Sequence, residues 1–229
     1  MFQFKNEDIA RASLIVNQLN LPEEFGNDDN ETEIVKIEDQ LDKILEENYC
    51  VKGGISKLVI DIEDLPFVIK IPFNGRWEYD FDSEDDEPYF ISFTEAGPYN
   101  FSDYCLVELE RTERVIDNGY EDFVPNMMYL CDVCGYCIYI QEKVIPISEG
   151  RKKLHPSMDS LEKAKNYELS FSDDWIATVI DLYGEDKWNE FVQWVTVTDI
   201  GIFSDMHSGN YGISMAGRPV MLDISGFRD

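Results

Sequence analysis

The 229-residue sequence predicts an α+β fold with two lobes. Three observations support this prediction. Two helix-like segments come first, β-branched strands then surround a single helix, and a mostly helical region finally ends in a short hairpin. Changes of hydrophobic period between about 3.6 residues and two residues mark the changes of element. A chain of this length can bury a substantial core in such a fold.

The N-terminal region, residues 1–48, predicts two helices that form a helical extension. Residues 7–19 carry a broad apolar face made of Ile9, Leu14, Ile15, Val16 and Leu19. Residues 31–48 repeat apolar side chains every three or four positions, at Ile34, Ile37, Leu41, Ile44 and Leu45. The first helix ends at Leu21-Pro22, because proline cannot continue the helical hydrogen-bond pattern.

Residues 49–145 predict the first lobe, a β-sheet with one helix. Residues 57–62 and 65–71 are β-branched and apolar, which favours paired strands. Seven of the ten residues from 78 to 87 are acidic. Like charges this dense repel one another, so an exposed acidic insertion is expected within 74–100. The helix follows at 103–118, before Gly119 as its cap, and a hairpin at 127–132 and 136–144 turns near Gly135.

Residues 146–229 predict a reduced helical second lobe. Residues 172–197 are mostly helical, with core positions at Trp175, Ile176, Val179, Ile180, Trp188, Phe191, Val192 and Val195. Two short apolar strands, 211–214 and 219–224, close the chain around the turn at Ala216-Gly217.

The charge balance limits the partners of this chain. There are 19 Lys and Arg residues against 47 Asp and Glu residues, a formal net charge of −28. Direct nucleic-acid binding is excluded, because it depends on cations that neutralise phosphates. The charge favours solubility, a basic protein partner, or imitation of a nucleic acid. No secretory signal and no apolar run of membrane-spanning length is present, which predicts a cytoplasmic protein without a membrane contact.

The clearest chemical motif is the stretch 205–210, Asp-Met-His-Ser-Gly-Asn, followed by Asp-Ile-Ser-Gly at 223–226. It resembles the protein-kinase superfamily, in particular its small, divergent microbial and phage-type members. In that family an Asp precedes an Asn by five residues in the catalytic loop, and the D-F-G Asp follows a short hairpin. Asp205, Asn210 and Asp223 match this order. The expected compartment is then the cytoplasm, or the host cytoplasm if the chain is phage-encoded.

The resemblance implies a site for ATP and Mg²⁺. Asn210 and Asp223 would supply the hard oxygen ligands that Mg²⁺ prefers. Asp205 would accept the proton of the attacking hydroxyl group, and a protonated His207 would touch the γ-phosphate. Catalysis would consist mainly of positioning and of charge stabilisation during phosphoryl transfer.

Further matches lie upstream of this motif. Phe67-Val68-Ile69-Lys70 resembles the V-A-I-K strand, which implies that Lys70 contacts the α- and β-phosphates. A lysine in an apolar strand needs a carboxylate or a ligand. The resemblance places that carboxylate at Glu108, with Glu110 as the alternative.

Two backbone sites complete the resemblance. Gly53, Gly54 and Ser56 lie just before the paired strands, where the family has its Gly-rich phosphate loop. Glu142 and Val144, at the end of a strand, resemble the hinge whose backbone groups bind adenine.

The implied fold is a protein-kinase-like two-lobed fold with a minimal C-terminal lobe and extra N-terminal helices. Six residues follow Asp223, so an activation segment and a lower helical subdomain are not expected. Phe203-Ser204 replaces the usual His-Arg pair before the catalytic Asp, and Ile224 replaces the Phe of D-F-G.

The implied activity is that of a Ser/Thr kinase-like phosphotransferase acting on a protein substrate. One alternative is a pseudokinase, or an acidic, DNA-mimic-like protein that inhibits or scaffolds a basic partner. Another is a small-molecule kinase, since some superfamily members have D-x-H-x-x-N loops.

The cysteines at 131, 134 and 137 have two interpretations. With a fourth ligand such as Cys50, Cys105 or His155, three thiolates would bind zinc or an iron–sulfur cluster. Alternatively, they are small apolar residues of a hairpin.

Overall fold

The computed structural model describes residues 2–21, 30–53, 57–72, 76–77, 90–92, 101–198, 201–203 and 206–224. The structure is a mixture of helices and strands, which confirms the predicted α+β class. It divides into two compact units. The first unit comprises Met1–Val107 and Met127–Gln141, and the second comprises Glu108–Asn126 and Glu142–Asp229. Each unit is made of two separate stretches of the chain. The division into 1–48, 49–145 and 146–229 stays a prediction.

The helices of the described residues are α1 Asn6–Gln18, α2 Asn30–Ile44, α3 Phe101–Asp117, α4 Ile147–Gly150, α5 Met158–Ala164, α6 Asp173–Tyr183 and α7 Glu185–Thr198. The strands are β1 Tyr49–Gly53, β2 Lys57–Ile62, β3 Phe67–Pro72, β4 Arg76–Trp77, β5 Phe90–Ser92, β6 Met127–Val133, β7 Tyr136–Glu142, β8 Val144–Pro146, β9 Tyr211–Ser214 and β10 Pro219–Met221. Single 3₁₀ turns lie at Glu121–Phe123 and Arg151–Lys153. None of these helices is long and apolar enough to cross a membrane.

The first unit is built on a five-stranded sheet of order β1-β2-β3-β7-β6. Strands β1, β2 and β3 are consecutive and antiparallel, with Val59 opposite Lys70. The β6–β7 hairpin turns at Cys134 and Gly135, whose φ angles are 52° and 83°. Two central residues with positive φ are typical of a type I′ turn, which matches the twist of the flanking strands. The predicted turn near Gly135 is therefore confirmed.

Helices α1 and α2 share the apolar core of this sheet. The buried residues of α1 and its C-terminal end are Ala12, Ile15, Val16 and Leu19, which are spaced three or four apart. The prediction that Leu14 shares this face is wrong: its side chain is 63% exposed, because position 14 falls outside that spacing. In α2 the predicted positions Ile37 and Leu41 are buried.

The second unit has an aromatic core between α6, α7 and a three-stranded antiparallel sheet of order β10-β9-β8. Trp175, Trp188 and Phe191 are fully buried there, as predicted. The prediction that 172–197 is mostly helical is confirmed, and the stretch consists of the two helices α6 and α7, because Gly184 at φ 89° ends α6. The predicted acidic insertion 74–100 falls largely outside the described residues.

Candidate functional site

The β9–β10 hairpin places two of the predicted ligand positions beside each other. Tyr211 is paired with Met221, and Ile213 with Pro219. The ladder continues one step further, because the Leu222 amide donates to the Asn210 carbonyl at 2.8 Å. Asn210 thus immediately precedes β9, and Asp223 immediately follows Leu222, whose amide is hydrogen-bonded to Asn210. The two predicted Mg²⁺ ligands lie at the open end of one hairpin.

A tight turn precedes this hairpin. The Asn210 amide donates to the His207 carbonyl at 2.8 Å, and the Gly209 amide donates to His207 Nδ1 at 3.1 Å. An imidazole nitrogen that accepts a hydrogen bond carries no proton, so the ring proton is on Nε2. A Cβ on Gly209 would lie 2.9 Å from the His207 ring, so a larger residue here would displace the imidazole from its contact with the Gly209 amide. The exposed His207 side chain can therefore donate to a ligand through Nε2 only.

Buried neighbours anchor the turn. Met206 is buried in the core of the second unit, and the Ser148 amide donates to the Ser208 carbonyl at 3.2 Å. Asp205, the predicted proton acceptor, lies outside the described residues.

Helix α3 contacts the segment after Asp223. Arg111 Nη1 donates to the Ile224 carbonyl at 2.8 Å, and Ile224 itself is buried. Gly201 adopts φ +65°, and a Cβ there would lie 3.1 Å from Arg111 Nη2. The guanidinium group therefore fixes the backbone beside Asp223. Sequence reasoning missed Arg111, which sits three residues after the predicted Glu108.

The predicted hinge residue Glu142 has a structural side chain. Glu142 is buried, and its Oε2 accepts hydrogen bonds from Asn126 Nδ2 at 2.6 Å and from Arg218 Nη2 at 2.9 Å. The ion pair compensates in part for burying this carboxylate, whose Oε1 is buried without a hydrogen-bond partner among the described residues. The Glu142 amide donates to the Asn126 carbonyl at 2.8 Å, so a contact of Glu142 with adenine would use its carbonyl group. Val144 lies in β8, opposite Ser214.

Lys70 belongs to the first unit, on its third strand. The side chain is 6% exposed, and its Nζ lies 5.6 Å from the ring centroid of the buried Tyr139. The ring face stabilises the ammonium group in a place with little water. The predicted partners Glu108 and Glu110 lie on the part of α3 assigned to the second unit, where Glu108 is buried and Glu110 exposed. The ion pair with Lys70 stays a prediction.

The predicted phosphate loop is described only in part. Gly53 ends β1 opposite Leu58, while Gly54 and Ser56 lie outside the described residues. A Cβ on Gly53 would meet Ile34 Cδ1 at 2.8 Å. Gly53 therefore packs against the Ile34 side chain of α2, which would have to shift if Gly53 were replaced by a larger residue.

The cysteine motif lies in the β6–β7 hairpin. Cys131 and Cys137 lie in its strands and Cys134 in its turn, all as free thiols. Burial raises the pKa of both Cys131 and Cys137, and the charge of Asp132 raises it further. Within the described part of the chain, no three His, Cys, Asp or Glu side chains are placed to share a metal ion.

No protein-family model matches the sequence, and no curated protein matches it either.

Proposed function

We propose that this chain is an ATP- and Mg²⁺-dependent, protein-kinase-like phosphotransferase that phosphorylates Ser or Thr of a protein partner. The observation that carries the proposal is the β9–β10 hairpin, where Asn210 and the residue before Asp223 are hydrogen-bonded at 2.8 Å. A magnesium ion bridging phosphates needs such a pair of oxygen donors on a fixed backbone. The Arg111 contact with Ile224 supports the proposal, because it holds the backbone next to Asp223.

The roles of the other residues follow from the same chemistry. Lys70 would neutralise the α- and β-phosphates, and its low exposure strengthens that interaction, because water screens it less. His207 would donate through Nε2 to a γ-phosphate oxygen. Asp205 would orient the attacking hydroxyl group and accept its proton.

Nucleotide binding is tested by thermal unfolding with and without ATP and Mg²⁺. At a ligand concentration of about 100 times Kd, binding stabilises the folded state by about 2.7 kcal/mol. For a chain of this size the wild-type Tm should rise by roughly 5–10 °C. Asp223→Ala should abolish the shift, because it removes a metal ligand. Glu190→Ala, at an exposed carboxylate of α7, is the matched control and should keep the shift.

Phosphoryl transfer is tested on the same samples with labelled ATP and dephosphorylated casein as the acceptor. Asp205→Ala should lower turnover by roughly 10²–10⁴-fold, the usual contribution of a positioned base, and should keep the ATP-dependent Tm shift. Turnover that survives this substitution would remove Asp205 from the catalytic role.

A second function, an acidic binding protein for a basic partner, is favoured by the net charge of −28. A Tm that ATP and Mg²⁺ leave unchanged in the wild type would favour it. Affinity for a basic protein should then fall steeply with salt, since such attraction is screened beyond about 8 Å at physiological ionic strength.

A further inference from the structure

Strand β7 of the first unit presents different side chains to the two faces of its sheet. Ile138 and Ile140 are buried in the apolar core that the sheet shares with α1 and α2. Side chains alternate along a strand, so Tyr139 and Gln141 lie on the opposite face. Lys70 of β3 shares that face, because its Nζ lies 5.6 Å from the centroid of the Tyr139 ring. These three residues define what we call the Lys70 face.

Gln141 is a buried polar residue on the Lys70 face. Its side chain is 1% exposed, and its Oε1 is buried without a hydrogen-bond partner among the described residues. Burying an amide oxygen without a partner lowers stability. A methionine has a similar length and would fill the same space without that cost. Packing therefore does not account for glutamine at this position, whereas a ligand that donates a hydrogen bond to it does.

Gln141 lies close to the residue proposed to contact the phosphates. It follows Tyr139 on the same face, about 6.6 Å further along β7. Lys70, which contacts the Tyr139 ring, is the proposed partner of the α- and β-phosphates. Gln141 also directly precedes Glu142, whose carbonyl group is the expected contact of adenine. The Gln141 amide is therefore within reach of the base of a nucleotide whose phosphates contact Lys70.

We propose that Gln141 selects adenine by its N6–N7 edge, with Oε1 accepting from the 6-amino group and Nε2 donating to N7. A primary amide presents an acceptor and a donor side by side, which complements that edge. Guanine presents two acceptors there, O6 and N7, and leaves Oε1 without a donor. The terminal torsion of a glutamine side chain is soft, and Oε1 has no hydrogen bond that fixes it, so the amide can turn to the base. This inference rests on the proposed function, because it names the residue that selects the base of the nucleotide.

The test is isothermal titration calorimetry of the full chain with Mg²⁺ and either ATP or 7-deaza-ATP. In 7-deaza-ATP a C–H group replaces N7, while the 6-amino group, N1 and the phosphates are unchanged. The wild type should bind ATP at least about tenfold more tightly, because the analogue leaves a buried Nε2 donor unpaired. This comparison needs no substitution in the protein.

The matching variant is Gln141→Met, which removes both amide contacts and keeps the length of the side chain. The difference between ATP and 7-deaza-ATP should fall to about twofold or less. Gln193→Met makes the same change at an exposed position of α7 and should keep the tenfold difference. Gln141→Met removes a buried polar group without a partner, so the variant should fold, which circular dichroism checks.

The outcomes separate the role of Gln141 from the proposed function. Equal binding of ATP and 7-deaza-ATP by the wild type would overturn the role of Gln141 and leave the nucleotide site in place. A tenfold difference that survives in Gln141→Met would do the same. If neither nucleotide binds, the proposed function is wrong, and the role of Gln141 is wrong with it.

Discussion

The β6–β7 hairpin and the β9–β10 hairpin are stabilised in different ways. The β6–β7 hairpin has two strands of seven residues, joined by the Cys134–Gly135 turn, and β7, whose last five residues are buried, is also paired with β3. The β9–β10 hairpin has strands of four and three residues, and every one of them is buried. The longer hairpin has more ladder hydrogen bonds of its own and a favourable turn, and it belongs to a larger sheet. A short ladder depends on what packs around it.

Side chains near α6 and the neighbouring strand β8 hold the short hairpin. Trp175 Nε1 donates to the Gly212 carbonyl at 2.9 Å, and the Ser172 amide donates to the Tyr211 hydroxyl at 2.9 Å. Strand β8 pairs with β9 on the side away from β10, with Ile145 opposite Ile213. The hairpin that holds the candidate metal ligands is thus fixed from outside, and substitutions can break it there.

The largest effect is expected for Gly212→Ala. A Cβ on Gly212 would overlap the backbone carbonyl of Ile145, and backbone cannot move aside as a side chain can. We expect the free energy of unfolding to fall by about 3 kcal/mol, the upper end of the usual cost of overpacking, because the overlapping atoms are backbone. Urea unfolding followed by tryptophan fluorescence measures it.

The matched control is the turn glycine of the long hairpin, Gly135→Ala. Nothing lies within 4 Å of a Cβ there, so the cost comes only from the φ of +83°. A left-handed non-glycine residue loses about 1–2 kcal/mol. If Gly212→Ala were no more destabilising than Gly135→Ala, the short hairpin would not be held by its neighbours as described.

A smaller effect is expected for Trp175→Phe. The substitution removes the hydrogen bond to Gly212 and leaves a buried carbonyl group without it, which costs about 1–3 kcal/mol. Trp188→Phe is the control, because Trp188 is equally buried and its Nε1 has no hydrogen-bond partner among the described residues. Both variants lose the same ring volume, so the difference between their urea midpoints reports the lost Trp175 hydrogen bond together with the removal of the unpaired Trp188 N–H. Equal midpoints would contradict its importance.

The sequence predicted those buried positions that recur at regular helical spacing. The spacing of Ile37 and Leu41 in α2, and of Trp175, Trp188 and Phe191 in α6 and α7, identified buried positions correctly. Strand β1 was missed, because Val51 is its only buried residue and produces no apolar pattern. Gly184 divides the last helical region through its backbone angle, which hydrophobic spacing does not reveal.

The order of the candidate-site residues along the chain was predictable, but the long-range contacts that hold them in place were not. The motif identified Asn210 and Asp223, and the hairpin between them was expected from two apolar runs and a glycine. Arg111 and Ile224 are 113 residues apart, and Glu142 and Arg218 are 76 apart. Contacts at such separations leave no periodic signal in a single sequence. The burial of the Glu142 carboxylate, and with it the need for Arg218, became visible only in three dimensions.

The smallest effect concerns the thiols of the long hairpin, and it also decides between the two interpretations of its cysteines. A raised pKa lowers the thiolate fraction at pH 8, so Cys131 and Cys137 should react slowly and speed up as the pH rises further. Cys134 is exposed in the turn and should react with iodoacetamide roughly threefold faster or more at pH 8. Peptide mass spectrometry measures each site, and labelling in urea should bring the three rates together. If the cysteines instead shared a zinc ion, all three would be protected together and released together by a chelator. Graded rates that a chelator leaves unchanged would identify them as ordinary hairpin residues, whereas joint protection would show that metal binding, rather than the strand ladder alone, holds this hairpin.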